Sequence, residues 1–284
     1  VNGAKAHITM AATAEEIIAV PTRVMTKDEG AWAVAFAIPA DTEGIKLITL
    51  GKYPPKRKKL DAPFPTFGSS YSVVIFDHVF IPNERIFMCG EWEFAGRLAL
   101  LFALYHRHSY TGCKPAITDV IMGMSALVAE YMDIEKAGHV RRLLVDLISV
   151  AELVFAAGLA AAYCARKTSS GAWEPNVVYC NVGRRHAGMN IYAEYEKLCE
   201  VAGGFCATLP LEGDFFNEET KDLLNKYIMR RADISPEQIH RLFRLISDYI
   251  VSAQGASKLI SGVHGGGSPI MEEIALYGNY DIKG

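Results

Sequence analysis

Two neighbouring stretches decide the fold. One is Tyr71-Ser72-Val73-Val74-Ile75-Phe76-Asp77-His78-Val79-Phe80; the other is the long, mainly apolar series that begins near Glu93. The first is rich in β-branched and aromatic residues and reads as a strand. Residues 31–38 (AWAVAFAI) and 45–50 (IKLITL) read the same way, with Pro and Gly frequent between them. The run Lys56-Arg57-Lys58-Lys59 follows Pro54-Pro55 and reads as a loop, either solvated or touching the phosphate of a nucleotide-bearing substrate. From about Cys89 the character changes. Residues 93–105, 117–132, 140–165, 186–201, 220–232 and 236–252 read as helices. Ser235-Pro236-Glu237-Gln238 is a helix start, with Ser235 as cap, Pro236 in the first turn and Gln238 closing a capping box. The stretch 150–162 is apolar nearly all round and should be buried on several sides. The expected class is α+β, with a barrel-like β domain over 1–88 and a helical bundle over 89–284.

The bulk numbers narrow the partners. The chain has 284 residues, half of them hydrophobic, and a net charge of −3. That balance gives no reason to expect a nucleic-acid partner. No uninterrupted apolar run reaches the ~18–20 residues that span a bilayer, since Glu152 breaks the longest; no membrane association is expected. The start, Val1-Asn2-Gly3-Ala4-Lys5, has no apolar signal segment. Six cysteines, at 89, 113, 164, 180, 199 and 206, form no CxxC pair. They read as reduced thiols in a cytoplasmic setting. Because the first residue is Val and leads straight into a strand-like pattern, the chain is expected to be the later part of something longer.

The densest chemistry is His106-Arg107-His108-Ser109-Tyr110-Thr111-Gly112-Cys113-Lys114. Imidazole and thiolate are strong ligands for soft or borderline metals and common partners in nucleophilic catalysis. His106 and Cys113 are seven apart, which on a continuous helix is nearly one face and ~10 Å along the axis. One small ion could take both only if the helix broke, and Gly112 with Pro115 could break it. A cluster of several irons tolerates the spread. By spacing alone, a chance buried His and Cys is the default explanation of the pair. Gly262-Val263-His264-Gly265-Gly266-Gly267-Ser268-Pro269 could offer backbone N–H groups to an anion or cofactor edge, with a helix starting near Pro269. It reads equally as an interhelical loop. Val201-Ala202-Gly203-Gly204-Phe205 reads as a helix C-cap. Thr9, in His7-Ile8-Thr9, is either a cofactor donor or an ordinary strand residue.

Together with Gly3–Thr9, Ala35–Asp41, Val74–Arg85 and Glu200–Gly204, these segments resemble the 4-hydroxybutyryl-CoA dehydratase / vinylacetyl-CoA Δ-isomerase family. That family lies within the wider 4-hydroxyphenylacetate 3-monooxygenase superfamily. The matching pieces follow one another over nearly the whole chain, and the His106–Lys114 run is the specific part. The resemblance implies an acyl-CoA-dehydrogenase-like architecture with FAD and a [4Fe–4S] cluster held by three Cys and one His. His106 and Cys113 would be two of those ligands. Tyr110 and Lys114 would lie in the active site with His106. Thr9 would approach the flavin. Gly203, Gly204, His264, Gly265, Gly266 and Gly267 would cradle it, across a subunit interface of a homo-oligomer. The implied reaction dehydrates or isomerises a short-chain acyl-CoA by a radical route, the iron acting as Lewis acid and the released histidine as base.

The chain departs from that pattern in three places. Tyr71 and Ser261 stand where the family carries glutamates, and neither a phenol of pKa ~10 nor a serine replaces a carboxylate base at neutral pH. The family's N-terminal helical domain, with the other two cluster cysteines, is not in the sequence; a missing domain or separate subunit would supply them. Three functions therefore stand in view. They are an acyl-CoA dehydratase/isomerase, a flavin-dependent aromatic hydroxylase of the same superfamily, and a non-catalytic subunit.

Overall fold

A computed structural model describes residues 1–50, 57 and 70–282. Two compact units form: Val1–Tyr53 with Phe67–Ala103, and Pro54–Thr66 with Leu104–Gly284. Of the basic run Lys56–Lys59, only Arg57 falls among the described residues; its guanidinium is paired with Asp248.

The first unit holds β1 (Gly3–Thr9), β2 (Glu16–Ala19), β3 (Val34–Pro39), β4 (Ile45–Thr49), β5 (Tyr71–Phe76) and β6 (Ile86–Cys89). Among the described residues they form two antiparallel three-stranded sheets, β1-β5-β4 and β2-β3-β6. Ile17, Ala19, Phe36 and Ile38 of one sheet share a core with Val74 and Phe76 of the other. The Phe36 and Phe76 rings meet edge-on at 5.5 Å. Two packed sheets thus stand where the sequence suggested a barrel-like domain. β5 alternates as a half-buried strand should, with Ser72, Val74 and Phe76 inward and Val73 outward. β3 buries Ala35 and Phe36 in succession because its register shifts between them, a bulge that sends the two side chains into different clusters. A second shift lies between Lys5 and Ile8, where His7 takes a φ of 63°. The strand expected from residue 31 starts at Val34, since Lys27–Trp32 is a 3-10 turn closed by a Thr26/Glu29 capping box.

The helices are α1 (Trp92–Tyr131), α2 (Gly138–Tyr163), α3 (Val177–Ala202), α4 (Phe205–Thr208), α5 (Lys221–Tyr227), α6 (Pro236–Ile250), α7 (Ala253–His264) and α8 (Pro269–Asn279). A small hairpin, β7 (Arg166–Lys167) with β8 (Trp173–Glu174), precedes α3. The main correction concerns α1. Its 40 residues run through Gly112 and Pro115 without a break, where the sequence suggested two helices. One proline removes one i→i−4 hydrogen bond. Packing outweighs that loss: Ile121, Met124 and Val128 of α1 share the bundle core with Leu147, Ile191, Leu198, Ile239, Phe243 and Ile246. α1, α2 and α3 meet around Thr111. A Cβ on Gly158 would lie 2.3 Å from Thr111 Oγ1, and one on Gly183 2.8 Å from Thr111 Cγ2. α6 starts with the predicted box: Gln238 N donates to Ser235 Oγ at 3.2 Å, and Ser235 N donates to Gln238 Oε1 at 2.8 Å. It stops at Ile250 because Ser252 caps α7, accepting from Gly255 N at 3.0 Å. Averaged over a window, α1 and α2 are long and apolar enough to cross a membrane by length and composition, a property that counting uninterrupted runs missed.

His240 on α6 lies at 1 % exposure against the Phe215 ring, 4.1 Å between centroids. Burial, with Arg244 and Arg57 nearby, holds its imidazole down to about 4 against an ordinary 6.5. The unfolded chain therefore takes up a proton that the folded chain refuses. His240's contribution to stability is complete above about pH 6.5 and is lost as pH falls towards 4, by up to about 3 kcal/mol. Chemical denaturation between pH 7 and 4 should show a shallower acid loss for His240→Leu than for the parent chain. Parallel curves would remove His240 from the account.

Candidate functional site

One stripe of α1 carries Arg107, Tyr110, Thr111, Lys114 and Thr118, all buried. The spacing of three and four keeps them on one face. α3 answers with Asn181, Arg184 and Glu194, and α8 with Glu272, all likewise buried. Charged groups survive in an interior only when paired and hydrogen-bonded, so each of these must find partners. They do so at two levels.

At the first level the partners are backbone carbonyls. Arg184, at 0 % exposure, donates from Nε to Gly265 O and from Nη2 to Val263 O, both at 2.6 Å. Glu272 Oε1 lies 3.3 Å from the same Nε. Arg107 donates from Nε to Gly266 O at 3.0 Å and from Nη1 to Asn181 Oδ1 at 2.7 Å. Tyr110 donates its hydroxyl to Gly262 O at 2.7 Å, and the Arg184 guanidinium stacks 4.4 Å over its ring. Burial pushes the Tyr110 phenol up to about 12, so it remains a donor. Burial also raises the Glu272 carboxyl, while Arg184 and Arg107 draw it back down. The sequence suggested that the glycine loop offers its N–H groups outward. Instead, Gly265 N donates to Ser261 O at 2.7 Å and Gly267 N to His264 O at 3.2 Å. The loop's carbonyls, meanwhile, face the arginines.

At the second level Lys114, at 0 % exposure, pairs with Glu194, at 1 %. Thr118 bridges them: Lys114 Nζ donates to its Oγ1 at 3.0 Å, and that hydroxyl donates to Glu194 Oε1 at 3.2 Å. Burial pushes the lysine down and the glutamate up, and each partner opposes the other's shift.

His106 and Cys113 flank Tyr110 on the neighbouring strip of α1 and are more exposed as whole residues, though their polar ends are partly shielded. His106 Nδ1 sits beside the loop, 3.0 Å from where a Cβ on Gly266 would stand. Burial, then Arg184 and Arg107, lower its imidazole. Cys113 Sγ donates to Tyr110 O at 3.6 Å. Burial raises its thiol, against the pull of Lys114 and Arg184. With α1 unbroken, the two donors are about 10 Å apart along one face. Among the described residues no group of three His, Cys, Asp or Glu side chains could hold an ion. The pair does not by itself fit a single-ion site; imidazole and thiol at this spacing are compatible as donors only with a larger group that draws further ligands.

The other predicted residues separate. Gly203 (φ 63°) caps α3, its N–H donating to Cys199 O at 2.8 Å, and Gly204 O accepts from Ala207 N. Both lie about 28 Å along α3 from Arg184 and its loop. His264 ends α7 at the mouth of the loop. Thr9 is exposed at the end of β1, opposite Tyr71 of β5. Ser261 donates to Ser257 O within α7. Sequence reasoning gave no role to Arg107, Asn181, Arg184, Glu194 or Glu272. A signal was present: Arg184 and Glu194 fall on the α3 stripe otherwise made of Cys180, Ala187, Ile191 and Leu198.

Comparison with known proteins places this architecture. The C-terminal model of 4-hydroxyphenylacetate 3-hydroxylase matches residues 95–284, and the N-terminal model matches 1–88. The chain belongs to the 4-hydroxyphenylacetate 3-hydroxylase family. Within this family it is 33% identical to the 4-hydroxybutyryl-CoA dehydratase/vinylacetyl-CoA Δ-isomerase of Clostridium aminobutyricum, over 100% of this chain and 61% of the relative. An oxygen-tolerant archaeal 4-hydroxybutyryl-CoA dehydratase from N. maritimus superposes with a TM-score of 0.91 at 33% identity, covering 97% of this chain and 56% of that one. The oxygenase component of 4-hydroxyphenylacetate 3-monooxygenase, solved with FAD and 4-hydroxyphenylacetate, gives 0.85 at 25% identity, covering 99% and 59%. A glutaryl-CoA dehydrogenase, at 0.55 and 15% identity over 97% and 57%, shares the fold. The chain spans about three fifths of the length of these relatives.

The buried Lys114–Glu194 pair makes a direct prediction. Removing one partner, as in Lys114→Met or Glu194→Leu, leaves an uncompensated charge and should cost about 3–5 kcal/mol in urea unfolding. The double variant should recover most of that loss. Additive losses would show that the two side chains do not act as a pair.

Proposed function

We propose that the assembled protein is a flavin- and [4Fe–4S]-dependent acyl-CoA dehydratase/isomerase. Its substrate class is a short-chain acyl-CoA, such as 4-hydroxybutyryl-CoA converted to crotonyl-CoA by a radical route. The observation that carries this reading is the outward pair His106 and Cys113 on one unbroken face of α1, beside a glycine loop held from behind by Arg107 and Arg184. The dehydratase relatives support it, and FAD in the oxygenase relative supports the flavin.

Under this reading His106 and Cys113 supply two cluster ligands, and chain outside the present sequence supplies the others. Gly265, Gly266 and Gly267 with His264 form one cradle for FAD. Gly203, Gly204 and Thr9 form others, contributed within a homo-oligomer. When bound, the flavin supplies one-electron chemistry and the cluster Lewis acidity. The chain's own groups handle protons and position. The His106 imidazole, lowered by burial and then by two guanidiniums, would offer its lone pair to iron or to a substrate proton. Lys114, held by Glu194, keeps a cation beneath Cys113 and favours its thiolate. Tyr110 holds the Gly262 carbonyl and stays protonated. With Tyr71 and Ser261 in place of carboxylates, the acid–base work falls on His106.

The complete protein, purified without oxygen, should carry FAD and about four irons with matching sulfide per site. Cys113→Ala should lose the iron and keep its helical circular dichroism. Flavin without iron would overturn the proposal in favour of an aromatic hydroxylase. Neither cofactor would overturn it in favour of a non-catalytic subunit.

A further inference from the structure

Arg107 and Arg184 lie on different helices and are both withdrawn from water, yet their donors converge on three carbonyls within four residues of one loop. Val263 O and Gly265 O accept from Arg184, and Gly266 O from Arg107. With the last-turn carbonyl of Val263 and the loop carbonyls of Gly265 and Gly266 all held by fixed cations, this segment has lost much of the freedom of its peptide planes to flip. The glycines are the complement of that constraint. Gly266 and Gly267 adopt φ of 84° and 106°, where L side chains are strained. A Cβ on Gly266 would meet His106 Nδ1 at 3.0 Å and Arg107 Cγ at 3.4 Å; one on Gly267 would meet Arg107 Nη2 at 3.1 Å.

We infer that Arg107 and Arg184 are positioning residues: a two-guanidinium clamp that sets the backbone of the Val263–Gly267 loop and places it against His106. Asn181 and Glu272 complete the clamp. Asn181 orients Arg107 through Oδ1 while its own Nδ2 donates to Val177 O at 2.7 Å. Glu272, on the first turn of α8, supplies the one carboxylate that faces Arg184. Fork geometry is required rather than charge alone. Arg184 reaches two carbonyls two residues apart from a planar group, a task that a lysine ammonium on a flexible stem does not reproduce. That the loop then presents a flavin rests on the function proposed above. The clamp itself does not.

The test uses the complete protein and reads the loop directly. Hydrogen exchange of the peptide covering residues 262–268 is compared among the parent, Arg184→Lys, Arg107→Lys and Arg185→Gln. Arg185 is the control: it also ties α3 to α8, through a surface pair with Glu273 at 2.5 Å, but touches no loop carbonyl. Both lysine variants should speed exchange in that peptide about tenfold or more, the loss of one charge-assisted hydrogen bond, with the α6 peptides unchanged. Arg185→Gln should leave it alone. Because Arg184 is central to the bundle, Arg107→Ala with and without millimolar guanidinium gives a second reading, in which the added cation should restore the slow exchange. Unchanged exchange in the lysine variants, or failed rescue in a folded Arg107→Ala, would overturn the clamp. Flavin titration of the same set separates the two proposals. If the parent binds no flavin while the exchange result holds, the function fails and the clamp stands. If the parent binds flavin and the lysine variants bind it within about twofold, the clamp does not position a cofactor and is overturned in that role.

Discussion

A guanidinium shut away from water must be given acceptors, and much of the second unit follows from where Arg184 finds them. Its nearest helical neighbours on α3 are apolar or small, and Glu272 meets only one of its donors. Backbone carbonyls accept from Nε and Nη2, while Nη1 has no hydrogen-bond partner; this requires a segment with carbonyls not already used in a helix. The end of α7 and the glycine turn after it provide them. This is why α7 stops at His264, why the turn is built of residues that tolerate positive φ, and why α8 starts where Glu272 falls in its first turn. The cost of burying a cation thus becomes the device that orders a loop.

The same constraint divides the His106–Lys114 run. Read as a string, it looks like a single dense site. On an unbroken helix it is two faces. Arg107, Tyr110, Thr111 and Lys114 turn inward to settle charge and packing, while His106, Gly112 and Cys113 turn outward. The inward set fixes the outward one. Arg107 is bonded to the carbonyl of Gly266, beside which His106 sits, and Lys114 lies directly below Cys113 in sequence and in charge. The unbroken helix keeps His106 and Cys113 about 10 Å apart along its axis.

Much of the fold was legible because its signals are local. The period-two pattern of β5 and the capping box of α6 each need only a few neighbouring residues. What was not legible depends on distant partners. Pro115 is a strong local breaker, and only the core packed around Ile121, Leu147 and Ile246 overrides it. The bulge in β3 depends on its pairing with β6. Arg184 meets Gly265 across 81 residues, and Lys114 meets Glu194 across 80. A charged residue on an apolar stripe announces a buried partner without naming it. The outward donors His106 and Cys113, by contrast, stood out by residue type alone, and the family likeness gave that pair a meaning that spacing could not.

Family membership settles the scaffold and leaves the chemistry to the outward residues. The inward network of Arg107, Arg184, Lys114, Glu194 and Glu272 is largely satisfied from within the bundle, with Arg184 Nη1 and Glu272 Oε1 left without hydrogen-bond partners, and it constrains geometry without choosing a reaction. The choice lies with what faces the cofactor cradle. In this chain α1 offers an imidazole and a thiol, from His106 and Cys113. The His106 imidazole is held below its ordinary value by burial and then by the Arg184 and Arg107 guanidiniums, which favours its neutral form. Under the proposed function, proton transfer would therefore fall to His106, which sits beside the loop that Arg107 holds.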